Sequence, residues 1–370
     1  MKIGIDARFI GPQGTGLGKY TEKLILNLTK IDKKNQYVIF LRKENFNYLK
    51  IGERRFKKVL ADIPWYSLRE QLELPKIFAK ENLDLLHVPH FNAPLLSRQK
   101  FIVTIHDLIH HQFSETSATT KNQLFFKIKR FAYKRVIKNA IFKSQKIIAP
   151  SNFVKSDILK NFKVEPNKIV VTYEAAEEEY SNDKRSTGFA SEARRAMNDQ
   201  RFLIYVGNAY PHKNLERLLD AIKILNTKLI LVCPRGTFSE RLKTEIEKRD
   251  LQKKVDLKGY LEPKELNTLF QKATAYVFPS LSEGFGIPGL NAMASGLPVV
   301  CSNIAVLKEI YGDAAIYFDP KDEKDIAKKI NQILTQPKTR SDLVKQGIEQ
   351  VKKYSWLKMA QQTLKIYESA

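Results

Sequence analysis

The stretch Ala275-Tyr276-Val277-Phe278-Pro279 is followed at once by Ser282-Glu283-Gly284-Phe285-Gly286-Ile287-Pro288, then by helical spacing through Ala294 and by Gly296. Four apolar residues closed by a proline read as a buried strand. Pro288 suits the first turn of a helix and Gly296 the position just past its end. The two glycines between strand and helix let backbone N–H groups approach a ligand with no Cβ in the way. A strand running through a glycine turn into a helix is the unit of a parallel sheet, and the helix N-terminus it creates favours an anion such as a diphosphate. Glu283 beside that site would repel phosphate, which points it toward the hydroxyls of a neighbouring sugar.

Working outward, the same alternation of short apolar runs and amphipathic segments fills most of the chain. Strands are expected near 2–6, 36–41, 84–88, 101–105, 146–149 and 168–172, with helices near 17–30, 66–81, 119–143 and 151–161. The pattern restarts with strands near 202–207, 228–233, 254–258, 274–278, 298–301 and 315–318. The expected fold class is α/β, with two doubly wound Rossmann-like domains facing a cleft. The domains are 1–173 and 201–354, joined by a polar linker or irregular segment at 174–200 that contains Glu177-Glu178-Glu179. A last helix at 355–370 sets Trp356, Met359, Ala360, Thr363, Leu364 and Tyr367 on one face, which needs a docking surface; the first domain is expected to provide it. Ligands of such sheets sit outside the carboxyl ends of the strands.

Composition narrows the class. A chain of 370 residues exceeds what one core usually serves, and 43% hydrophobic residues exclude a disordered or fibrous protein. Cys233 and Cys301 lie in apolar runs and form neither a disulfide framework nor a metal-ligand spacing. No window has the length of a spanning helix and Asp6 interrupts the N-terminus, so a cytoplasmic protein, or one attached only at the inner membrane surface, is expected. The formal charge is +23, most of it within residues 1–170. Thr116 to Ser156 holds no acidic residue, while Phe125-Phe126-Lys127-Ile128-Lys129-Arg130-Phe131-Ala132-Tyr133-Lys134-Arg135-Val136-Ile137-Lys138 interleaves aromatic and branched residues with cations. This run suits an anionic membrane surface; the plain alternative buries Phe126, Tyr133 and Ile137 and leaves solvated lysines outside. No recognition motif for specific nucleic acid accompanies the charge.

Other candidate positions also follow strands. After Leu203-Ile204-Tyr205-Val206 comes Gly207-Asn208-Ala209-Tyr210-Pro211-His212-Lys213-Asn214, where the Lys213 ammonium can complement a phosphate. His106-Asp107 follows Ile102 to Ile105, with Asp107 placed to cap the next turn. Gly14-Thr15-Gly16-Leu17-Gly18-Lys19-Tyr20 joins the first strand to the first helix and lacks the third glycine of a dinucleotide fingerprint.

Taken together, these segments resemble glycosyltransferase family 4, the retaining nucleotide-sugar enzymes of GT-B architecture, and the resemblance covers nearly the whole chain. It is carried by residues 14–20, Thr104-Ile105-His106-Asp107-Leu108, Ala149-Pro150-Ser151-Asn152-Phe153, Tyr205-Val206-Gly207, Pro211-His212-Lys213-Asn214, and residues 283–288 with 292–300. The resemblance implies that Lys213 pairs with the donor diphosphate and that Gly284, Phe285, Gly286 and Ile287 bind phosphate and sugar oxygens through their backbone. It makes Glu283 the first glutamate of an E-x7-E motif, brings His106 to the donor sugar, places the base at Gly259-Tyr260-Leu261, and puts the glycine loop Gly14, Gly16 and Gly18 on the acceptor side. Two positions depart from the pattern. The second glutamate, which in the family holds the ribose hydroxyls, is Asn291, and the arginine of the phosphate loop is Asn208.

The expected function is therefore retaining transfer of a mannose- or glucose-type hexose from GDP-mannose or a UDP-hexose to a glycan or lipid-linked acceptor in envelope polysaccharide synthesis. The nucleotide sugar is a co-substrate, and no cofactor is expected. With no Asp-x-Asp and no cluster of ligand spacing, no catalytic metal is expected either. A basic lipid- or nucleic-acid-binding protein would explain the charge but not the recurring motifs at strand ends. A degenerate transferase that binds nucleotide sugar without turnover is the reading that Asn208 and Asn291 motivate.

Overall fold

The structure, a computed structural model, describes residues 1–11, 15–109, 123–180 and 202–370, with residues 15 and 123–129 as backbone only. The chain divides into two compact units, Met1–Glu174 together with Ser355–Ala370, and Ala175–Tyr354.

In the first unit seven strands, β1 (Lys2–Asp6), β2 (Gln36–Leu41), β3 (Phe56–Leu60), β4 (Leu85–Val88), β5 (Phe101–Thr104), β6 (Ile147–Ala149) and β7 (Ile169–Val171), form one parallel sheet. Its order is β3-β2-β1-β4-β5-β6-β7. The second unit repeats the plan with β8 (Phe202–Val206), β9 (Lys228–Val232), β10 (Val255–Lys258), β11 (Ala275–Phe278), β12 (Val299–Ser302) and β13 (Ala315–Phe318), also all parallel, in the order β10-β9-β8-β11-β12-β13. The continuous apolar runs at β4, β5, β11 and β12 are buried at every position, as strands covered by helices on both faces must be.

Three departures from the sequence reading have local causes. β3 has no counterpart among the expected strands. It is an edge strand paired only with β2, Lys57 faces solvent and reaches Glu81 at 2.9 Å, and the lysines that protect such an edge also mask its apolar pattern. The helix expected near 66–81 is two, Leu68–Leu72 and Leu74–Lys80. Ser67 caps the first by accepting the Glu70 N–H, and Pro75 starts the second because it has no N–H to continue a helix through. The glycines placed in the first βα loop also need correction. The helix Thr15–Ile31 already contains Gly16 and Gly18, while Gly14 lies outside the described residues. A Cβ on Gly18 would sit 2.3 Å from the Phe9 carbonyl oxygen, so this glycine lets the helix lie against the segment that follows β1.

The last helix, Trp356–Ser369, does find its docking surface in the first unit, on the helix Thr15–Ile31. Trp356, Met359, Ala360, Thr363, Ile366 and Tyr367 are buried, while Leu364, expected on that face, is half-buried. The helix Gln123–Lys143 turns Val136, Ile137, Ala140 and Ile141 into the core and sets Tyr133 edge-on to Phe91 at 5.1 Å. Its other face shows Phe131, 70% exposed, with Lys134, Arg135 and Lys138 in solvent; the side chains of Phe125 to Lys129 lie outside the described residues. Among the described residues no helix is long and apolar enough to cross a membrane.

Polar side chains stitch the middle of the first sheet. Fully buried His87 on β4 lies between the Tyr367 hydroxyl, 2.7 Å from Nδ1, and Thr104 Oγ1, 2.8 Å from Nε2; the Tyr20 hydroxyl is 3.2 Å from the same Thr104 oxygen. Both partners of His87 can donate or accept, so a neutral ring satisfies them. Burial pushes its pKa down to about 3, with the nearby His106 adding to the effect. The unfolded chain takes up this proton near pH ~6.5. The stability that the neutral ring contributes is thus complete above about pH 6.5 and is lost as pH falls from there toward about 3. The loss by pH 5 is about 2 kcal/mol, and His87→Gln should abolish it. Denaturant titrations at neutral pH and near pH 5 measure this; an equal acid sensitivity in both proteins would exclude His87 as the source.

Candidate active site

The strand order of the second unit reverses between β8 and β11, and at such a switch point the loops leaving two neighbouring strands diverge and leave room for a ligand. Lys213 lies in the 3₁₀ turn Pro211–Lys213 after β8, and Glu283 in the loop after β11. The two side chains meet at 2.6 Å, each mostly buried, and Lys213 Nζ also lies 5.8 Å from the centre of the Phe278 ring. The loops are fixed to one another: the Leu281 N–H donates to the His212 carbonyl at 2.8 Å. Asn214, buried and left-handed at φ 59°, donates from Nδ2 to the carbonyls of Pro279 (3.0 Å) and Pro320 (2.7 Å). Sequence reasoning placed Asn214 in the motif without a role. Its positive φ starts the helix Leu215–Ile224, and its amide joins the ends of β8, β11 and β13.

The helix Ile287–Ala294 begins directly after Gly286, which has φ 101°. A side chain there would be strained, and a Cβ would fall 2.5 Å from the Tyr311 hydroxyl, which instead donates to the Gly286 carbonyl at 2.5 Å. Gly284, Phe285, Gly286 and Ile287 therefore sit at a helix start, where Pro288 has no N–H and the Gly289 N–H donates to the Gly286 carbonyl at 3.1 Å. Two polar atoms at the same strand ends, Asn208 Oδ1 and Ser280 Oγ, are buried with no hydrogen-bond partner among the described residues. The Tyr276 hydroxyl, donating to the Val206 carbonyl, is held well above the usual tyrosine range by burial and then by the Glu283 charge, so it stays neutral. Lys213 is accordingly the cation that the structure puts against Glu283.

The remaining positions spread out from this centre. Asn291, buried in the helix Ile287–Ala294, accepts the Glu177 N–H at 2.8 Å and sets its Nδ2 3.4 Å from Glu177 Oε1. Gly259, Tyr260 and Leu261 follow β10, with Tyr260 58% exposed. A cavity of about 350 Å³ opens beside them, bounded by Cys233, Arg235, Ser239, Lys258 and Gly259; neither Lys213 nor Glu283 lines it. His106 belongs to the first unit, after β5. Its Nδ1 lies 3.0 Å from Glu174 Oε1, its Nε2 3.1 Å from the Pro89 carbonyl oxygen, and its ring meets Tyr20 edge-on at 4.7 Å. Both ring nitrogens are engaged and the ring orientation is fixed. Asp107 caps the next turn by accepting the Ile109 N–H at 2.9 Å. Glu174 and Glu177 had no sequence signal, since both lie in a polar stretch without periodicity. Among the described residues no three His, Cys, Asp or Glu side chains are grouped to hold a metal ion.

Known proteins share this organisation. Residues 188–350 match the family model described as Glycosyl transferases group 1, and residues 16–179 match the model Glycosyltransferase Family 4. The chain is 26% identical over 338 residues to the O-antigen chain mannosyltransferase RfbU of Salmonella typhimurium, covering 88% of each. It is 28% identical over 290 residues to the O-antigen chain mannosyltransferase B of Escherichia coli, covering 77% of this chain and 74% of the relative. The fold is similar to that of sucrose-phosphate synthase from Thermosynechococcus elongatus, with TM-score 0.76 at 19% identity, covering 100% of this chain and 98% of that one.

Proposed function

Because the chain belongs to the family 4 glycosyltransferases of GT-B fold, one family model matching each half, we propose that it transfers mannose from a nucleoside-diphosphate sugar to a glycan or lipid-linked acceptor in envelope polysaccharide synthesis, with retention at the anomeric carbon. The mannosyltransferase names of its relatives support the sugar, and GDP-mannose is the donor that reading favours, with a UDP-hexose as the alternative. The observation that carries the proposal is the Lys213–Glu283 pair beside the helix Ile287–Ala294, at the switch point of the second sheet.

The residues divide the work by charge. The helix N-terminus offers roughly half a positive charge to the diphosphate. Lys213 has three donors, so it can keep one on Glu283 while turning another to a phosphate oxygen. Glu283, repelled by phosphate, receives sugar hydroxyls. In the step itself the acceptor oxygen forms its bond to the anomeric carbon on the face from which the bond to the diphosphate oxygen breaks. The acceptor proton passes to a departing phosphate oxygen, and the leaving charge is met by Lys213 and the backbone donors.

Lys213→Ala and Glu283→Ala should each lower transfer on the order of 10²–10³-fold while the thermal melt shows an intact fold. Wild-type turnover in either would remove the assignment, and nucleotide-sugar binding without any turnover in the wild type would favour the degenerate transferase. The cationic partner being a lysine, turnover should persist in EDTA; loss with rescue by Mg²⁺ or Mn²⁺ would replace this mechanism with a metal-assisted one.

The acceptor is proposed to be met at an anionic membrane surface, reached by the exposed face of Phe131, Lys134, Arg135 and Lys138. Each cation adds about 1 kcal/mol near such a surface. Co-sedimentation with anionic vesicles should fall in high salt and on changing Lys134, Arg135 and Lys138 to Ser. Equal partitioning onto neutral vesicles, or none onto either, would point to an acceptor met in solution.

A further inference from the structure

We propose that Glu177 supplies the carboxylate that receives the ribose hydroxyls of the donor nucleotide, at the place where the helix Ile287–Ala294 carries an amide instead of an acid; the proposal rests on the donor reading given above.

Asn291 is buried and grips Glu177 twice, by accepting its backbone N–H at 2.8 Å and by turning Nδ2 toward its Oε1 at 3.4 Å. Only a side chain with both a donor and an acceptor can do this. A glutamate at 291 could take the N–H but would set two carboxylates against each other. The amide thus fits a carboxylate delivered by the neighbouring segment. That segment is anchored elsewhere on the same unit: Tyr180 is buried with its ring 5.5 Å from Phe270, and Asn267 Nδ2 lies 3.4 Å from the Glu179 carbonyl oxygen. Glu177 is therefore held by its backbone, with its side chain half-buried.

The position says what the carboxylate is for. With a rise of about 1.5 Å per residue, Asn291 lies roughly 6 Å along the helix from Ile287, about one sugar ring away from a diphosphate at the helix start. A carboxylate there would repel phosphate, but its two oxygens can each accept from one hydroxyl of a vicinal diol, as charge-assisted bonds.

Calorimetric titration of the full chain with GDP and UDP, and with the 2′,3′-dideoxy counterpart of each, tests this. For the base that binds, the wild type should prefer the ribonucleotide about tenfold or more. Glu177→Gln should lose most of that preference by weakening the ribonucleotide alone, whereas Glu178→Gln, in the adjacent exposed acid, should keep it. Wild-type preference in Glu177→Gln, or an equal loss in Glu178→Gln, would overturn the assignment of Glu177. If Lys213→Ala still weakens nucleotide binding in that case, the donor reading stands and only the role of Glu177 falls. Absence of binding by either nucleotide to the wild type would overturn both.

Discussion

Parallel pairing imposes the geometry from which everything at the site follows. Two parallel strands cannot be joined by a tight turn, so each must be followed by a crossover that returns the chain to the opposite edge, and all loops of one kind emerge at the carboxyl edge. In the second unit β8 lies between β9 and β11, and the chain leaves β8 toward one side and β11 toward the other. The loops 207–213 and 279–286 therefore open at a seam that no helix fills. Lys213 and Glu283 are brought together by that seam, although 70 residues separate them.

A seam of this kind exposes backbone and polar side chains at the edge of a buried sheet, and the structure secures them with individual bonds. Asn214 ties three strand ends, Tyr311 holds the carbonyl of Gly286, and in the first unit His87, Thr104, Tyr20 and Tyr367 form a chain of hydroxyl and imidazole contacts that joins the last helix to the sheet. At the end of β1 buried Arg8 donates to both Asp6 oxygens and to Glu70, with a further bond to the Ile63 carbonyl. Such groups cost more if one partner is lost than they contribute when complete. They fix the geometry at the strand ends.

The sequence disclosed what depends on short-range pattern. Continuous apolar runs marked the buried strands, and Gly286-Ile287-Pro288 marked a helix start, because the strained φ, the missing Cβ and the proline are each local requirements. It hid what depends on distance. Phe56–Leu60 is a strand only because β2 lies beside it, and its lysines read as surface. Gly16 read as loop, just ahead of the helix expected from 17, whereas the helix begins at Thr15 and keeps Gly18 for its approach to Phe9. Lys213 and Glu283 were recognised by resemblance, and their contact needed the sheet. Glu174 and Glu177 were invisible because an acid in a polar stretch looks the same whether it is solvated or holds a histidine or an asparagine across the fold.

The distribution of charge separates two tasks that the composition alone confuses. Most of the excess of cations lies in the first 170 residues, whereas the loops after β8 and β11 set one lysine against one glutamate. A pair that is already neutral attracts a diphosphate less than a free lysine would, so ground-state affinity must come from directional bonds at the helix start. The advantage appears later. In the proposed reaction, negative charge grows on the leaving oxygen as the bond to the diphosphate breaks, and a lysine shared with Glu283 would strengthen its bond to that oxygen as the charge develops. Binding that increases along the reaction accelerates it, whereas binding that is equally strong throughout does not. For that proposed reaction, a paired lysine at the seam is therefore better suited to turnover than a cluster of unpaired cations.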